Sequence, residues 1–217
     1  MTSIYRKKSY NNNKTHSKNS WRSLPYSIEP DDVKKLLKRR YSPRDKCMIL
    51  ILLRTGMRIS ELLNLKLQDL RLKERIILIN RSAKTGIGRI TYISDDAYKA
   101  LRKWLKIHNS GGKFLLYSRG RKYMSYGTAR LIFIKYLKRA GLLKKRYTLH
   151  CLRHTFASEL LSAGMSLESL QILMGHSSIE MTRRYARLTN KALENDYFNS
   201  IDIIIKGEIN GSYRDHL

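Results

Sequence analysis

The sequence predicts a mainly α-helical fold with one small antiparallel β-sheet, an α+β class. Apolar residues recur at three- and four-residue spacing over most of the 217 residues, which is typical of helices packed on a core. One stretch departs from this spacing and carries two β-branched runs separated by glycines. Apolar residues make up 42% of the chain, the share of an ordinary folded domain. We expect one domain over residues 26–190, between a basic flexible arm (1–25) and a C-terminal tail (191–217).

Two helices are predicted at the start of this domain, each with a proline in its first turn. Pro30 is followed by two aspartates, which favour the positive end of a helix over Val33–Arg40. Ser42 is a candidate N-cap for the second helix, Met48–Leu53 is its apolar body, and Gly56 ends it.

A β-hairpin follows a short run of helical spacing that extends from Ile59 to Leu67. Arg75–Asn80 is rich in isoleucine, and Arg89–Ile93 carries β-branched residues and a tyrosine. A glycine-bearing, basic tip separates the two strands. Phe114–Tyr117 is a candidate for a further short strand.

The rest of the domain is predicted to be helical. The predicted helices are Asp95–Leu105, Thr128–Ala140, Leu149–Ser162 and Leu167–Met174, a segment containing Met181–Leu188, and an amphipathic stretch through Ile205.

The charge balance points to a polyanionic partner. Lys and Arg total 44 against 17 Asp and Glu, a formal charge of +27. Nucleic acid is the first candidate and an anionic membrane surface the second, and a basic protein without such a partner is the remaining alternative. No apolar run reaches the roughly 18 residues of a membrane span. Two cysteines make no disulfide framework, so we expect a reducing, intracellular setting.

Four motifs carry residues that could take part in catalysis or binding. The first is TGMRISEL, in which Arg58 follows a glycine turn and precedes an apolar helix. A guanidinium group is planar and permanently charged, which suits a bidentate grip on a phosphate. Glu61 lies one turn further on and could hold that group in place. Taken alone, the motif also fits an exposed Arg–Glu pair on a helix.

The second motif, SAKTG, places Lys84 at the hairpin tip. From there a lysine could reach into a groove and donate a proton to a leaving oxygen. A solvated loop lysine is the alternative.

The third motif is LHCLRHTF, where His150 and Arg153 are three residues apart and share one helix face. This pair could bracket one phosphate. His150 and His154 have metal-ligand spacing, but the segment lacks the Glu of H-E-x-x-H and no CxxC is present. We therefore expect no metal site and a structural hydrogen-bonding role for His154.

The fourth motif joins Gly175-His176 to Thr182 and Tyr185. With 14 tyrosines in the chain, a single tyrosine is uninformative, and a core or surface role is the alternative for this one. The spacing from Gly-His to Thr and then Tyr carries the information.

In this order, the four motifs resemble those of the tyrosine recombinase (phage integrase) family, over Ile28–Leu188. The resemblance implies six catalytic residues and one supporting acid: Arg58, Lys84, His150, Arg153, His176, Tyr185 and Glu61. In such a site Arg58 and Arg153 clamp the scissile phosphate, Lys84 protonates the departing 5′ oxygen, and Tyr185 is the nucleophile. The two histidines hydrogen-bond the phosphate or the tyrosine region.

The resemblance also implies a function. We expect a site-specific recombinase that cleaves and rejoins double-stranded DNA through a 3′-phosphotyrosine, without cofactor or metal. It would act as a homo-tetramer on paired sites in the cytoplasm, associated with the nucleoid and not with a membrane. Accessory DNA-bending proteins stay open. The alternatives are a type IB topoisomerase and a catalytically silent DNA-binding regulator.

The sequence departs from the family pattern at both ends. Members usually carry a helical DNA-clamping domain before the catalytic part, where this chain has a short basic arm. Either the protein is a minimal form, similar to the fimbrial-switch invertases, or the chain is shortened. For the tail, exchange between protomers and packing on its own domain both stay open.

Overall fold

The computed structural model describes residues 27–79, 88–108, 112–118, 120, 122–175 and 190–207. Its helices are α1 Pro30–Leu37, α2 Pro43–Thr55, α3 Ile59–Leu63, α4 Asp95–Leu105, α5 Tyr126–Arg139, α6 Leu149–Ser162, α7 Leu167–Met174 and α8 Asn190–Lys206. Its strands are β1 Leu70–Arg71, β2 Ile76–Ile79 and β3 Arg89–Tyr92. Within these residues, no helix has both the length and the apolar character that crossing a bilayer demands.

The three strands form one antiparallel sheet in the order β1-β2-β3. Ile76 pairs with Tyr92 and Ile79 with Arg89, so β2 and β3 are the two arms of the predicted hairpin. The small antiparallel sheet within a mainly helical chain confirms the predicted fold class. The hairpin tip, residues 80–87, lies outside the described residues, as do the arm, the predicted helix around Met181–Leu188 and the end of the tail.

Helix α2 is the centre of the core. The Ser42 side chain accepts a hydrogen bond from the backbone N–H of Asp45 at 3.2 Å and caps its first turn. Residues 47–55 are all buried, and α2 packs against both α4 and α6. Gly56 ends the helix in the left-handed conformation, with φ +60°.

Two local predictions from the sequence are corrected. Phe114–Tyr117 is not a strand, because its pairing is limited to one isolated bridge between Lys66 and Phe114. The Leu115 carbonyl instead accepts a hydrogen bond from the Trp104 indole at 2.9 Å, so a side chain occupies the position of a strand partner. The helical run from Ile59 ends at Leu63, and residues 67–69 form a separate 3₁₀ turn.

The C-terminal helix α8 covers a second apolar cluster on the same chain. Tyr197 and Ile201 are buried in this cluster with Phe156 of α6. The Tyr197 hydroxyl donates to the Arg54 carbonyl at 2.8 Å, and the Ser169 hydroxyl donates to an Asp196 carboxylate oxygen at 2.6 Å. Exchange of the tail between protomers stays a prediction, since the structure contains a single chain.

A partly buried ion cluster fixes the last turn of α2. Arg54 donates to Asp96 at 3.0 Å and to Glu159 at 3.4 Å, which connects α2 to α4 and α6. Burial raises the pKa of Glu159 to about 6, although Arg54 opposes the shift. The cluster therefore holds the chain rigidly just before the turn at Gly56.

Gly56→Ala is predicted to destabilise the fold by about 3–4 kcal/mol, the sum of left-handed backbone strain and overpacking. A β-carbon here would lie 2.6 Å from Phe156 Cε1 and 2.9 Å from Met174 Sδ. Gly141→Ala is the matched control, because Gly141 has φ +74° but open space around it. It should cost only about 1 kcal/mol in urea unfolding. Equal losses for the two variants would contradict this packing.

Candidate active site

The turn at Gly56 brings the C-terminal ends of α2 and α7 against the middle of α6. Because this residue has no side chain, Phe156 of α6 and Met174 of α7 approach its backbone closely. The Gly56 carbonyl accepts a hydrogen bond from Arg153 Nη1, on the same helix as Phe156. The close packing thus places the Arg153 guanidinium group against the turn that leads to Arg58.

Arg153 is buried, with only 4% of the residue exposed. Besides the Gly56 carbonyl, its guanidinium donates from Nη2 to the Met174 carbonyl at 2.7 Å. One arginine of α6 therefore connects the C-terminal ends of α2 and α7.

Arg58 lies at the N-cap of α3 with its side chain 28% exposed. Its Nη1 donates to Glu61 Oε1 at 2.9 Å, and its backbone N–H donates to Glu61 Oε2 at 2.8 Å. Its Nη2 donates to the Gly175 carbonyl at 3.4 Å. Since Arg153 binds the preceding carbonyl, that of Met174, the two guanidinium groups converge on consecutive peptide groups at the end of α7.

Glu61 accepts hydrogen bonds from two arginines. In addition to the Arg58 contacts, Arg89 Nη1 and Nη2 donate to its two oxygens at 2.8 and 2.9 Å. Burial alone would raise the pKa of Glu61, but hydrogen bonds and charge attraction, from Arg89 first and then Arg58, lower it to about 2. Glu61 is therefore a permanent carboxylate at neutral pH.

Arg89 was missed by the sequence analysis, which assigned it only to a strand. A signal was present, because the two-residue period of a strand puts Arg89 on the same face as the buried Thr91. An arginine on the inner face of a strand requires a buried acceptor. The sequence did not indicate that Glu61 is that acceptor.

The cluster has an excess of positive charge. Among the described residues that act on Arg153, Arg58 and Arg89 are repulsive and Glu61 is attractive. Burial and then this repulsion lower the pKa of Arg153 to about 10, so it keeps its proton at neutral pH. Three guanidinium groups facing one carboxylate make a site suited to an anion.

His150 is exposed one turn before Arg153, in the first turn of α6. Partial burial, followed by repulsion from Arg153 and Arg58, lowers the pKa of His150, so the imidazole is neutral at pH 7. The rings of His150 and His154 meet edge to face with centroids 4.6 Å apart. Within the part of the chain that the structure describes, no three His, Cys, Asp or Glu residues form a potential metal site.

The structure thus brings together four of the seven residues that the sequence singled out: Arg58, Glu61, His150 and Arg153. The other three lie outside the described residues: Lys84, His176 and Tyr185. The strands β2 and β3 on either side of the hairpin tip are described, and so is Gly175, which directly precedes His176.

Glu61→Gln is predicted to lower the free energy of unfolding at pH 7 by about 3 kcal/mol, because it removes the carboxylate from two arginines, one of them buried. A carboxyl group whose pKa is lower in the folded state than in the unfolded state stabilises the fold at pH values above its unfolded pKa. This stabilisation is lost as the pH falls through the folded pKa. The difference between the wild-type and variant stabilities should shrink as pH falls from 4.5 towards 2.

Urea unfolding at several pH values between 7 and 3 measures this difference. Glu168→Gln is the control, since Glu168 is exposed in the first turn of α7 and its loss should cost under about 0.5 kcal/mol. A Glu61→Gln difference that stayed constant down to pH 3 would rule out the charge assignment.

Comparison with known proteins places this chain in a family. Residues 27–192 match the Phage integrase family. Tyrosine recombinase XerA of Pyrococcus horikoshii is 34% identical over 175 residues, which cover 79% of this chain and 60% of that protein.

Solved structures agree with this match. A crystal structure of XerA recombinase has 31% identity and a TM-score of 0.65, covering 80% of this chain and 64% of the other. XerH site-specific recombinase, bound to its difH substrate before cleavage, has 25% identity and a TM-score of 0.62, covering 79% and 53%. The chain thus spans between about half and two-thirds of the length of these relatives. With its family domain over most of its length, the chain belongs to the phage integrase family of tyrosine recombinases.

Proposed function

We propose that this chain is a site-specific DNA recombinase that cleaves and rejoins double-stranded DNA through a 3′-phosphotyrosine. The observation that carries the proposal is the convergence of Arg58 and Arg153 on the Met174 and Gly175 carbonyls. The two guanidinium groups repel each other in the folded protein, and an anion bound between them offsets that repulsion. A phosphodiester has the charge and the planar oxygen pairs that arginine recognises.

The chemistry assigned to the site needs this positive charge. In the first step the Tyr185 oxygen attacks phosphorus, and the bond from phosphorus to the 5′ oxygen breaks. Arg58 and Arg153 neutralise the non-bridging oxygens as negative charge builds up on them. The energy of the broken bond is kept in the phosphotyrosine, so a 5′ hydroxyl can reverse the step without ATP.

Proton transfer is assigned to the remaining residues. His150, neutral at pH 7, can accept a proton from the tyrosine region. Lys84 gives a proton to the departing 5′ oxygen, and His176 hydrogen-bonds the phosphate. Arg89 supports this assignment, because it lies five residues after Lys84 and donates to the Leu173 carbonyl, three residues before His176.

The partner is double-stranded DNA. The charge of +27 supports this partner, as does the DNA-bound state of XerH, a relative of similar fold. Recombination exchanges strands between two duplexes, so we assign a homo-tetramer on paired sites. We assign the tail after residue 190 as the segment exchanged on assembly, although its helix α8 packs on its own domain in the single chain. A cytoplasmic, nucleoid-associated location and help from DNA-bending proteins belong to the same proposal.

Covalent adduct formation tests the proposal. Duplex fragments that cover the DNA on both sides of the gene are incubated with the protein, stopped with detergent and separated by size. A covalent protein–DNA band should form with a subset of fragments and should resist high salt. Tyr185→Phe should abolish it, since phenylalanine has no nucleophilic oxygen.

Tyr98→Phe, on α4, is the control and should leave the adduct yield unchanged. An undiminished adduct in Tyr185→Phe would overturn the assignment of the nucleophile. Relaxation of any supercoiled plasmid without strand exchange would instead indicate a topoisomerase. Tight binding without cleavage would indicate a silent regulator.

A further inference from the structure

We propose that Arg89 is a positioning residue of this site. It fixes the orientation in which the Arg58 side chain faces the scissile phosphate. The inference rests on the proposed function. Arg89 touches no predicted catalytic group directly in the described residues. It acts through the Glu61 carboxylate, which it shares with Arg58.

The contacts of Arg89 define a rigid bracket. Two of its nitrogens bind the two oxygens of Glu61 at 2.8 and 2.9 Å, which fixes the plane of the carboxylate. The same two oxygens receive the Arg58 guanidinium and its backbone N–H. Any rotation of the Glu61 carboxylate would therefore move the Arg58 side chain.

Arg89 also fixes the end of α7. Its Nε donates to the Leu173 carbonyl at 2.7 Å. Gly175, with φ +61°, lets the arginine pass, because a β-carbon there would lie 2.7 Å from Arg89 Cδ. One side chain thus connects β3, α3 and α7. Helix α3 directly follows Arg58, α7 ends two residues before His176, and β3 begins five residues after Lys84.

Stability alone does not account for this arrangement. The side chains of Arg89 and Glu61 are only 8% and 6% exposed, and taking both charges out of water is costly. An apolar pair of similar volume would often give an equally stable core. What an apolar pair cannot supply is a fixed carboxylate that orients a second guanidinium. The buried Arg89–Glu61 pair therefore contributes the orientation of Arg58.

Arg89→Lys tests this, because an ammonium group keeps the charge but cannot bind two carboxylate oxygens and a carbonyl in one plane. Arg44→Lys is the matched control. Arg44 also donates twice to a carboxylate, at 3.0 and 2.9 Å to Asp45, and once to a carbonyl, at 3.2 Å to Tyr117. It lies in the first turn of α2, at the opposite end from Gly56 and about 18 Å from it by helix rise.

Single-turnover adduct formation is measured on a fragment that the wild-type protein cleaves, at saturating protein. Arg89→Lys should slow the step by about 100-fold, as a misaimed catalytic group does, while DNA affinity changes by less than about threefold. Arg44→Lys should stay within about twofold of wild type. Equal rates for wild type and Arg89→Lys would overturn the inference.

A modified substrate separates positioning from general loss of structure. A methylphosphonate at the scissile position removes one negative oxygen, and with it the need for a well-aimed Arg58. The ratio of wild-type to Arg89→Lys rates should fall from about 100 to below about 10 on this substrate. A ratio that stays the same on both substrates would mean a merely structural role and would contradict the proposal.

Both lysine variants are assayed at a temperature at which circular dichroism shows native helix content. If Arg89→Lys does not fold, Arg89→Gln goes through the same comparison, with the same two outcomes. Absence of any wild-type adduct would overturn the proposed function, and the inference with it. A normal wild-type adduct together with an unimpaired Arg89 variant would overturn the inference alone.

Discussion

The arrangement of the candidate site depends on one buried carboxylate. Glu61 neutralises part of the charge of Arg58 and Arg89, and without it these guanidinium groups would repel each other and Arg153 across a small volume. One carboxylate reduces the repulsion enough for the folded protein to hold the three arginines together, but it leaves an excess of positive charge. Glu61 thus stabilises the fold, while the positive charge that it leaves uncompensated on the arginines makes the site suited to a phosphodiester.

The core provides the rigidity that this charge cluster requires. Helix α2 is buried along most of its length, and the Arg54 ion cluster fixes its last turn. Gly56 then lets Phe156 and Met174 approach so closely that Arg153 reaches carbonyls on two different helices. Groups of like charge stay close together only where rigid segments hold them. Here each of the three arginines donates to a backbone carbonyl at the end of a helix. The charge cluster therefore depends on the packing of the helices around Gly56.

Much of the fold could be predicted because its signals are local. Ser42 and Gly56 mark the two ends of α2 within the sequence itself, and α6 and α7 have the bounds that their apolar spacing predicted. The short strand at 114–117 failed because a side chain from α4 takes its hydrogen bond, which no local pattern records. Arg89 was missed for the same reason, since Glu61 and Leu173 lie 28 and 84 residues away. The assignment of Lys84, His176 and Tyr185 still rests on the family resemblance.

The most direct test of the central claim is whether an isolated phosphate analogue binds between the two arginines. Orthovanadate can be titrated into protein labelled with nitrogen-15 arginine, and the guanidinium resonances followed by NMR. The account predicts saturable shifts of the Arg58 and Arg153 signals, with Arg44 unchanged. Equal small shifts at all surface arginines, with none specific to Arg58 and Arg153, would contradict it.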